Sequence, residues 1–336
     1  MSSANKLCTS ALNHYFELAP PPSGKTLILQ GTPGKWNHDH PDLTAVNYLA
    51  NEHKLWAQQG MTSHPNTKEN FDTIVHFATK NATENLVQLG TYSQLLNQGG
   101  RWISVVPNRM GASRLKKDIL KLFPESENSS KSKCRIFDAS CAPDTALARK
   151  WASLAKPKAI KGTSLLTTPG VFSADKLDTG SQLLARILEK ESFFGSGADL
   201  GSAYGYLSKT ILDTPRNRIR ELVLYELDSR ALDCAKRNLQ DHQNTEFIWA
   251  DVTAGVHHCR QFDWVVMNPP FHEAQDQSFE LGKTFIREAA RILKPGGSLY
   301  LVANLHLPYE ELIRTTFRSH RTLVEDKGFK CIFARA

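Results

Sequence analysis

No stretch of this chain approaches the ~18–20 consecutive apolar residues that a membrane-spanning helix needs. Residues Met1 to Phe16 lack the basic region and apolar block of a secretory leader, so none is expected. Cysteine is sparse. Cys8, Cys134, Cys141, Cys234, Cys259 and Cys331 include no Cys-x-x-Cys pair, and no histidine stands at zinc-finger spacing. That argues against a disulfide framework or a structural zinc and suits reduced thiols in the cytoplasm. His257-His258-Cys259 could form a metal corner, but no second ligand pair accompanies it, and no metal is expected.

What is present suits about two ordinary domains: 336 residues, 40% of them hydrophobic. The net charge of +7 is unevenly spread. Residues 1–160 hold 19 Lys and Arg against 12 Asp and Glu, whereas residues 161–336 hold 22 of each. A basic excess confined to the first half points to a polyanion met there, although +7 also falls within ordinary solubility charge. Leu115, Ile119 and Leu122 recur at helical spacing and leave Arg114, Lys117 and Lys121 on the other side of the same helix. With Arg109 they are the candidate RNA-binding set; a plain solvated helix face is the alternative.

The second half alternates strands and helices. An amphipathic helix, Gln182 to Glu189, precedes Gly197-Ala198-Asp199-Leu200-Gly201. Leu222 to Glu226, Thr245 to Ala250, Phe262 to Met267 and Ser298 to Ala303 read as strands, with helices Ser229 to Leu239 and Phe279 to Leu293 between them. Such βα units imply an α/β fold with a mostly parallel sheet. Thr322 to Val324 and Phe329 to Ala334 read as a closing antiparallel pair. The first half echoes this pattern. Phe71-Asp72-Thr73-Ile74-Val75 matches Phe262-Asp263-Trp264-Val265-Val266, and Gly99-Gly100 matches Gly296-Gly297. Val106-Pro107-Asn108 and Lys133-Cys134 have counterparts at similar offsets. A tandem duplication is expected, with a first domain over 1–150, a second over 160–336, and the boundary between Ala139 and Gly162. The first copy has no Asn-Pro-Pro and no Asp-x-Gly-x-x-x-Gly turn, so its chemistry is degenerate.

The chemistry concentrates at the ends of the second half's strands. Asn268-Pro269-Pro270-Phe271 follows an apolar strand. The Asn268 side-chain carbonyl and the Pro269 carbonyl can both accept from a planar amino group, the prolines offer no competing N–H, and an aromatic ring can lie on that group's face. A Pro-rich turn is the alternative for the tetrapeptide alone. Asp199, Gly201, Ala203 and Gly205 form a strand-to-helix turn where a backbone can approach a ligand. Glu226, with Leu227 after it, stands where an acid binds ribose hydroxyls, and Asp251, followed by Val252, ends the next strand. Singly, each acid reads as a solvated strand end. Together with Asn268 they describe an S-adenosylmethionine site facing an amino-group acceptor.

The chain resembles the bacterial ribosomal RNA small subunit methyltransferase C family. The resemblance rests on Thr168-Pro169-Gly170-Val171-Phe172-Ser173, on Leu177-Asp178 with Gly180-Ser181-Gln182, on Asn268-Pro269-Pro270-Phe271-His272, and on Val302-Ala303-Asn304 with Leu307-Pro308-Tyr309. It implies two tandem class I (Rossmann-like) methyltransferase domains, the first degenerate. It further implies methylation of the exocyclic N2 of a guanine in small-subunit rRNA, within the assembled 30S particle, by a cytoplasmic protein expected to be a monomer. Phe172, Asp178, Gly180 and Ser181 belong to the segment leading into the site. Two positions depart from the family pattern: Ala203 replaces a motif glycine, and Glu226 replaces a common Asp. A large-subunit guanine methyltransferase and a non-catalytic rRNA-binding assembly factor are the alternatives. Asn-Pro-Pro-aromatic also serves glutamine methylation in release factors and adenine methylation in DNA.

Overall fold

The computed structural model describes residues 3–37, 40, 42–270 and 275–336, without the side chains of 275–278. The chain divides into two compact units, Met1–Lys156 with Thr168–Gly170, and Pro157–Thr167 with Val171–Ala336.

The first unit opens with α1 (Ser3–Tyr15) and alternates β1 (Thr26–Leu29), β2 (Leu43–Val46), α2 (Ala50–Ala57), β3 (Ser63–His64), β4 (Phe71–Phe77), α3 (Ala82–Tyr92), β5 (Leu96–Pro107), α4 (Ala112–Leu122), β6 (Glu127–Lys131), β7 (Cys134–Ala139) and α5 (Thr145–Ala152). Its sheet runs β3-β2-β1-β4-β5-β7-β6. The short pair β8 (Lys158–Ala159) and β9 (Leu166–Thr167) begins the second unit. Then come α6 (Thr179–Leu188), β10 (Phe194–Leu200), α7 (Tyr206–Leu212), β11 (Arg218–Glu226), α8 (Ser229–Asn238), β12 (Thr245–Trp249), β13 (Phe262–Met267), α9 (Gln275–Ile292), β14 (Leu293–Asn304), α10 (Glu310–Thr316), β15 (Ser319–Asp326) and β16 (Phe329–Arg335). This sheet runs β12-β11-β10-β13-β14-β16-β15, the same order as the first, with β16 alone running antiparallel to the other strands.

Both faces of the second sheet are covered, so its central strands are apolar at nearly every position. Ala198, Leu200, Val223, Tyr225, Val265 and Met267 pack on one side; Leu222, Leu224, Trp264 and Val266 pack on the other. Several elements begin earlier than their sequence patterns suggest, α6 and β14 among them. Helix α6 starts at Thr179 because the Asp178 carboxylate accepts the Ser181 N–H at 2.8 Å and caps it. Strand β14 starts at Leu293 and absorbs the Pro-Gly-Gly turn as an irregularity in its register with β13.

The two sheets match in detail. Asp72 at the start of β4 accepts the Lys25 N–H at 2.9 Å, and Asp263 at the start of β13 accepts the Ser196 N–H at 2.8 Å. A Cβ on the preceding residue, Gly24 or Gly195, would sit 2.5 or 2.2 Å from that carboxylate, so only glycine admits the contact. The second carboxylate oxygen accepts from Asn97 at 2.8 Å in one unit and Lys294 at 2.6 Å in the other.

Strand register then shows what the first unit lost. Ile28 lies beside Val75 and Ala45 as Asp199 lies beside Val266 and Leu224. By the same register Asn47 takes the place of Glu226, and Phe77 that of Asn268. Gln30 takes the place of Gly201 and keeps its left-handed backbone, φ 58° against 74°. The Gln30 side chain folds back onto Val46 O and Tyr48 N, and the Phe77 ring lies where a Cβ on Gly31 would be, 2.5 Å away. Its own side chains fill this edge of the first unit.

Candidate active site

At the carboxyl ends of β10, β11, β12 and β13 the second unit gathers Asp199, Glu226, Asp251 and Asn268. Asp199 is buried. Its Oδ2 accepts the Ser208 hydroxyl of α7 at 2.7 Å, and its Oδ1 has no partner among the described residues. Desolvation pushes its pKa up to about 7, against the opposing effect of the Ser208 hydrogen bonds. Glu226 is buried too and is pushed up to about 7, first by desolvation and secondarily by the Asp228 and Asp199 charges. The N–H groups of Asp228 and Ala203, at 2.9 and 2.7 Å, pull the other way. A second acid therefore holds the glycine turn against the end of β11.

The turn contains Gly201, Ala203 and Gly205, all at positive φ. Ala203 at φ 48° carries backbone strain that a glycine would not. Gly205 brings the first turn of α7 close to α8, where an added Cβ would lie 3.3 Å from Ala235 and Leu239. Ser202 leaves its buried Oγ without a partner among the described residues. Leu227 follows Glu226 and accepts the Trp249 indole N–H at 2.7 Å. Asp251 accepts from the Thr253 N–H and hydroxyl at 2.9 and 2.6 Å, capping a short turn. Val252 packs its side chain into the core.

Asn268 ends β13, and the neighbouring Met267 is paired with Leu200. Its Nδ2 donates to Asp178 Oδ2 at 2.9 Å and to Ser181 Oγ at 2.7 Å. A carboxylate can only accept, so the amide nitrogen must face Asp178 and the carbonyl must face away. That carbonyl oxygen is buried and has no partner among the described residues. Pro269 is buried and Pro270 exposed. Phe271 lies outside the described residues. Gly180 keeps α6 tight on β16, since a Cβ there would meet the Phe329 ring at 2.9 Å. Phe172 is half-exposed at 37%. In the first unit, Arg109, Arg114, Lys117 and Lys121 are all exposed, and Leu115, Ile119 and Leu122 are buried beneath the helix.

Ser181 and Asp178 were legible only as part of a motif; the structure gives them the task of aiming Asn268. Ser208 and Ser202 were missed, because an isolated serine in a helix or a glycine turn carries no pattern of its own.

Residues 162–333 match the family model described as the methyltransferase small domain. The ribosomal RNA small subunit methyltransferase C of Salmonella choleraesuis (strain SC-B67) is 30% identical over 263 residues, 77% of this chain and 74% of that protein. That of Haemophilus influenzae (strain PittGG) is 30% identical over 265 residues, covering 77% and 78%. The chain belongs to the ribosomal RNA small subunit methyltransferase C family. A solved T. thermophilus 16S rRNA N2 guanine methyltransferase, in complex with AdoMet and guanosine, superposes with a TM-score of 0.78 at 22% identity, over 98% of this chain and 91% of that one. Like others of the family, the chain is a methyltransferase with two Rossmann-like units.

The residues present fit S-adenosylmethionine. Unpaired buried polar atoms cost about 1–3 kcal/mol each, and among the described residues this edge has three: Asp199 Oδ1, Ser202 Oγ and Asn268 Oδ1. The cofactor offers an ammonium, two ribose hydroxyls and an adenine amino group, all hydrogen-bond donors. Two buried acids and a bare glycine turn are a matching acceptor set. Among the described residues no helix is long and apolar enough to cross a membrane.

Proposed function

We propose that this chain methylates the exocyclic N2 of one guanine in small-subunit rRNA, acting as a cytoplasmic monomer on the assembled 30S particle. The observation that carries the reading is the Asn268 carbonyl, buried and unpaired, with its amide end held by Asp178 and Ser181. An amino group conjugated to a purine ring has two hydrogens and a poorly available lone pair. Asn268 Oδ1 and the Pro269 carbonyl accept those two hydrogens, orient the nitrogen, and favour the positive charge that develops on it. Guanine rather than adenine or cytosine follows from the family, whose T. thermophilus relative is described with guanosine.

S-adenosylmethionine, when bound, supplies an electrophilic methyl group. Asp199 and Glu226 hold it through its donors, the turn Gly201 to Gly205 gives it backbone access, and Leu227, Asp251 and the Val252 backbone border the adenine. Phe172, Asp178, Gly180 and Ser181 form the wall on the acceptor side, and Phe271 supplies a stacking face. The target base leaves its helix to reach Asn268, at a cost of a few kcal/mol. No dedicated base is required, since the N2 proton becomes acidic once the nitrogen carries the methyl.

We assign catalysis to residues 160–336 and docking on RNA to residues 1–150, through Arg109, Arg114, Lys117 and Lys121. The shared strand order and the shared Gly-Asp contact support descent of both units from one duplicated ancestor. Labelled methyl transfer to purified small subunits, followed by mass spectrometry of digested rRNA, is the test. A single N2-methylguanine is expected. A methyl on adenine, or on large-subunit rRNA alone, would overturn the substrate assignment, and no transfer to either subunit would favour an assembly factor.

A further inference from the structure

The second unit carries almost no net charge, 23 Lys and Arg against 22 Asp and Glu, yet its charges are segregated. Asp178, Asp199, Glu226, Asp228 and Asp251 lie at the carboxyl ends of its parallel strands. The opposite edge collects cations from elements far apart in sequence. Arg218 starts β11, Lys294 lies in β14, Arg335 ends β16 and Arg318 precedes β15. The sheet order lines these up, with Phe194 at the start of β10 paired to Arg218 and Ser298 paired to Arg335. From β11 to β15 there are five steps of ~4.8 Å, a row about 24 Å long.

Most of this charge is uncompensated. Arg218 donates to the carbonyls of Pro215 and Asn217 at 2.8 and 3.0 Å, and Arg335 donates to the Ser298 hydroxyl at 2.7 Å. Arg220, two residues along β11, donates to the Ser196 hydroxyl at 2.8 Å. Of these cations only Lys294 forms an ion pair among the described residues, with Asp263 at 2.6 Å, a carboxylate that also lines the cleft below and feels the charge of Arg220. A cleft of about 300 Å³ opens in the middle of the row, lined by Phe194, Lys294, Gly297, Tyr300 and Arg335. Phe194 is 58% exposed there, an apolar ring offered to solvent between guanidinium groups.

The fold does not require this. At the same edge of the first unit, Asn97 stands in place of Lys294 and holds the equivalent aspartate equally well. The cations there are neutralised: Arg101 closes on Asp138 at 2.5 Å and Lys25 on Glu69 at 2.9 Å. One sheet of the same order thus pairs its charges at this edge, and the other leaves them open.

We infer that this edge of the second unit binds the phosphodiester backbone of an rRNA segment distinct from the one carrying the target base, with Phe194 stacking on an unpaired nucleotide. The inference rests on the rRNA substrate proposed above. Spaced cations suit successive phosphates, and an exposed ring among them suits a base face. Six residues of β10 separate Phe194 from Leu200, so at ~3.3 Å per residue the edge lies about 20 Å from Asn268. A short single strand in the pocket would not reach it, whereas folded rRNA presents backbone at both places. Selection of a structured particle over a loose strand follows.

The test measures binding of small ribosomal subunits without cofactor, across a salt series, for wild type, Arg218→Gln/Arg335→Gln, Arg218→Glu/Arg335→Glu and Phe194→Ala. Melting curves and cofactor titration report folding. The neutral pair should bind at least fivefold more weakly and flatten the log–log salt slope by about 1.5, two contacts at ~0.7–0.9 each. The reversed pair should bind more weakly still, and Phe194→Ala should weaken binding with no change in slope. KM for subunits should rise while kcat and cofactor affinity stay at wild-type values. Wild-type affinity and slope in both paired variants would overturn the inference. So would retention by vesicles of anionic lipid that rRNA does not compete away. Because binding is read without methylation, a methyl found on another base would remove the proposed substrate and leave this edge standing.

Discussion

Asn268 Nδ2 lies 2.9 Å from Asp178 Oδ2, ninety residues earlier in the chain, and this contact decides which end of the amide is left unpaired. The same carboxylate oxygen caps α6 through the Ser181 N–H. The start of α6 and the orientation of the Asn268 carbonyl are therefore set by one group.

Asn268→Ala removes an acceptor aimed at the reacting nitrogen. Loss of one such group costs on the order of 10²–10³ in kcat, so turnover on subunits should fall that far while cofactor affinity changes less than about threefold. Ser181→Ala should be milder, since Asp178 still holds the amide. Steady-state kinetics with a parallel calorimetric titration separate the two effects, and near wild-type turnover of Asn268→Ala would remove the mechanism.

Glu226→Ala should act on the cofactor. The carboxylate already accepts two backbone N–H groups, and ribose hydroxyls are the donors left for its remaining lone pairs. Hydrogen bonds to a charged acceptor are worth about 1.5–3 kcal/mol, so affinity should fall at least tenfold, and an unchanged Kd would refute the assignment.

Asp199 and Glu226 also set a pH dependence. Folding raises both carboxyls from the usual range to about 7. Such groups favour the native state fully below their unfolded values, near 4, and that contribution is lost as pH rises through about 7. Asp199→Asn, which removes the buried charge while keeping a partner for Ser208, should raise the melting temperature of the cofactor-free protein at pH 8. The gain should shrink as pH falls and disappear only near pH 4. Cofactor donors select the ionised acids, so cofactor affinity of the wild type should weaken as pH falls below about 7, with proton release on binding at neutral pH. Calorimetry in buffers of different ionisation enthalpy measures that release.

Much of this was legible in the chain because parallel strands place chemistry at their ends. The runs before Asp199, Glu226 and Asn268 are apolar, so each polar residue marks a strand terminus. The degenerate first copy was visible in the missing Asn-Pro-Pro, but what fills its edge was not. Neither Gln30 nor Phe77 carries a local signal of filling that edge; it is the register that sets them against Gly201 and Asn268. The Asp178–Asn268 contact depends on how α6 docks, which no local pattern carries. The basic edge was hidden by a net charge near zero, since Arg218, Lys294 and Arg335 become neighbours only through the strand order.

The exposed face of α4 makes a prediction about docking. Charge reversal of Arg114, Lys117 and Lys121 leaves Leu115, Ile119 and Leu122 in place, so the helix should persist. Affinity for small subunits should drop and its salt slope should flatten by about 2–3. If gel-shift binding and slope stay at wild-type values, the first unit holds RNA by another surface.

Ala203 supplies the last test. At φ 48° an L-residue pays on the order of 1 kcal/mol that glycine does not. Its methyl group is only partly buried, at the border of the small cluster of Ile160, Leu165, Tyr204 and Cys234, so little contact is lost on removing it. Its N–H, which donates to Glu226, survives in glycine. Ala203→Gly should therefore raise the melting temperature by a few degrees or leave it unchanged, the strain relief being offset in part by a more flexible unfolded chain. Cofactor affinity should hold or improve, because the turn reaches the same conformation with less opposition. A fall of tenfold or more in affinity would mean that the alanine methyl itself touches the cofactor, and that this departure from the family's glycine is a contact rather than a tolerated strain.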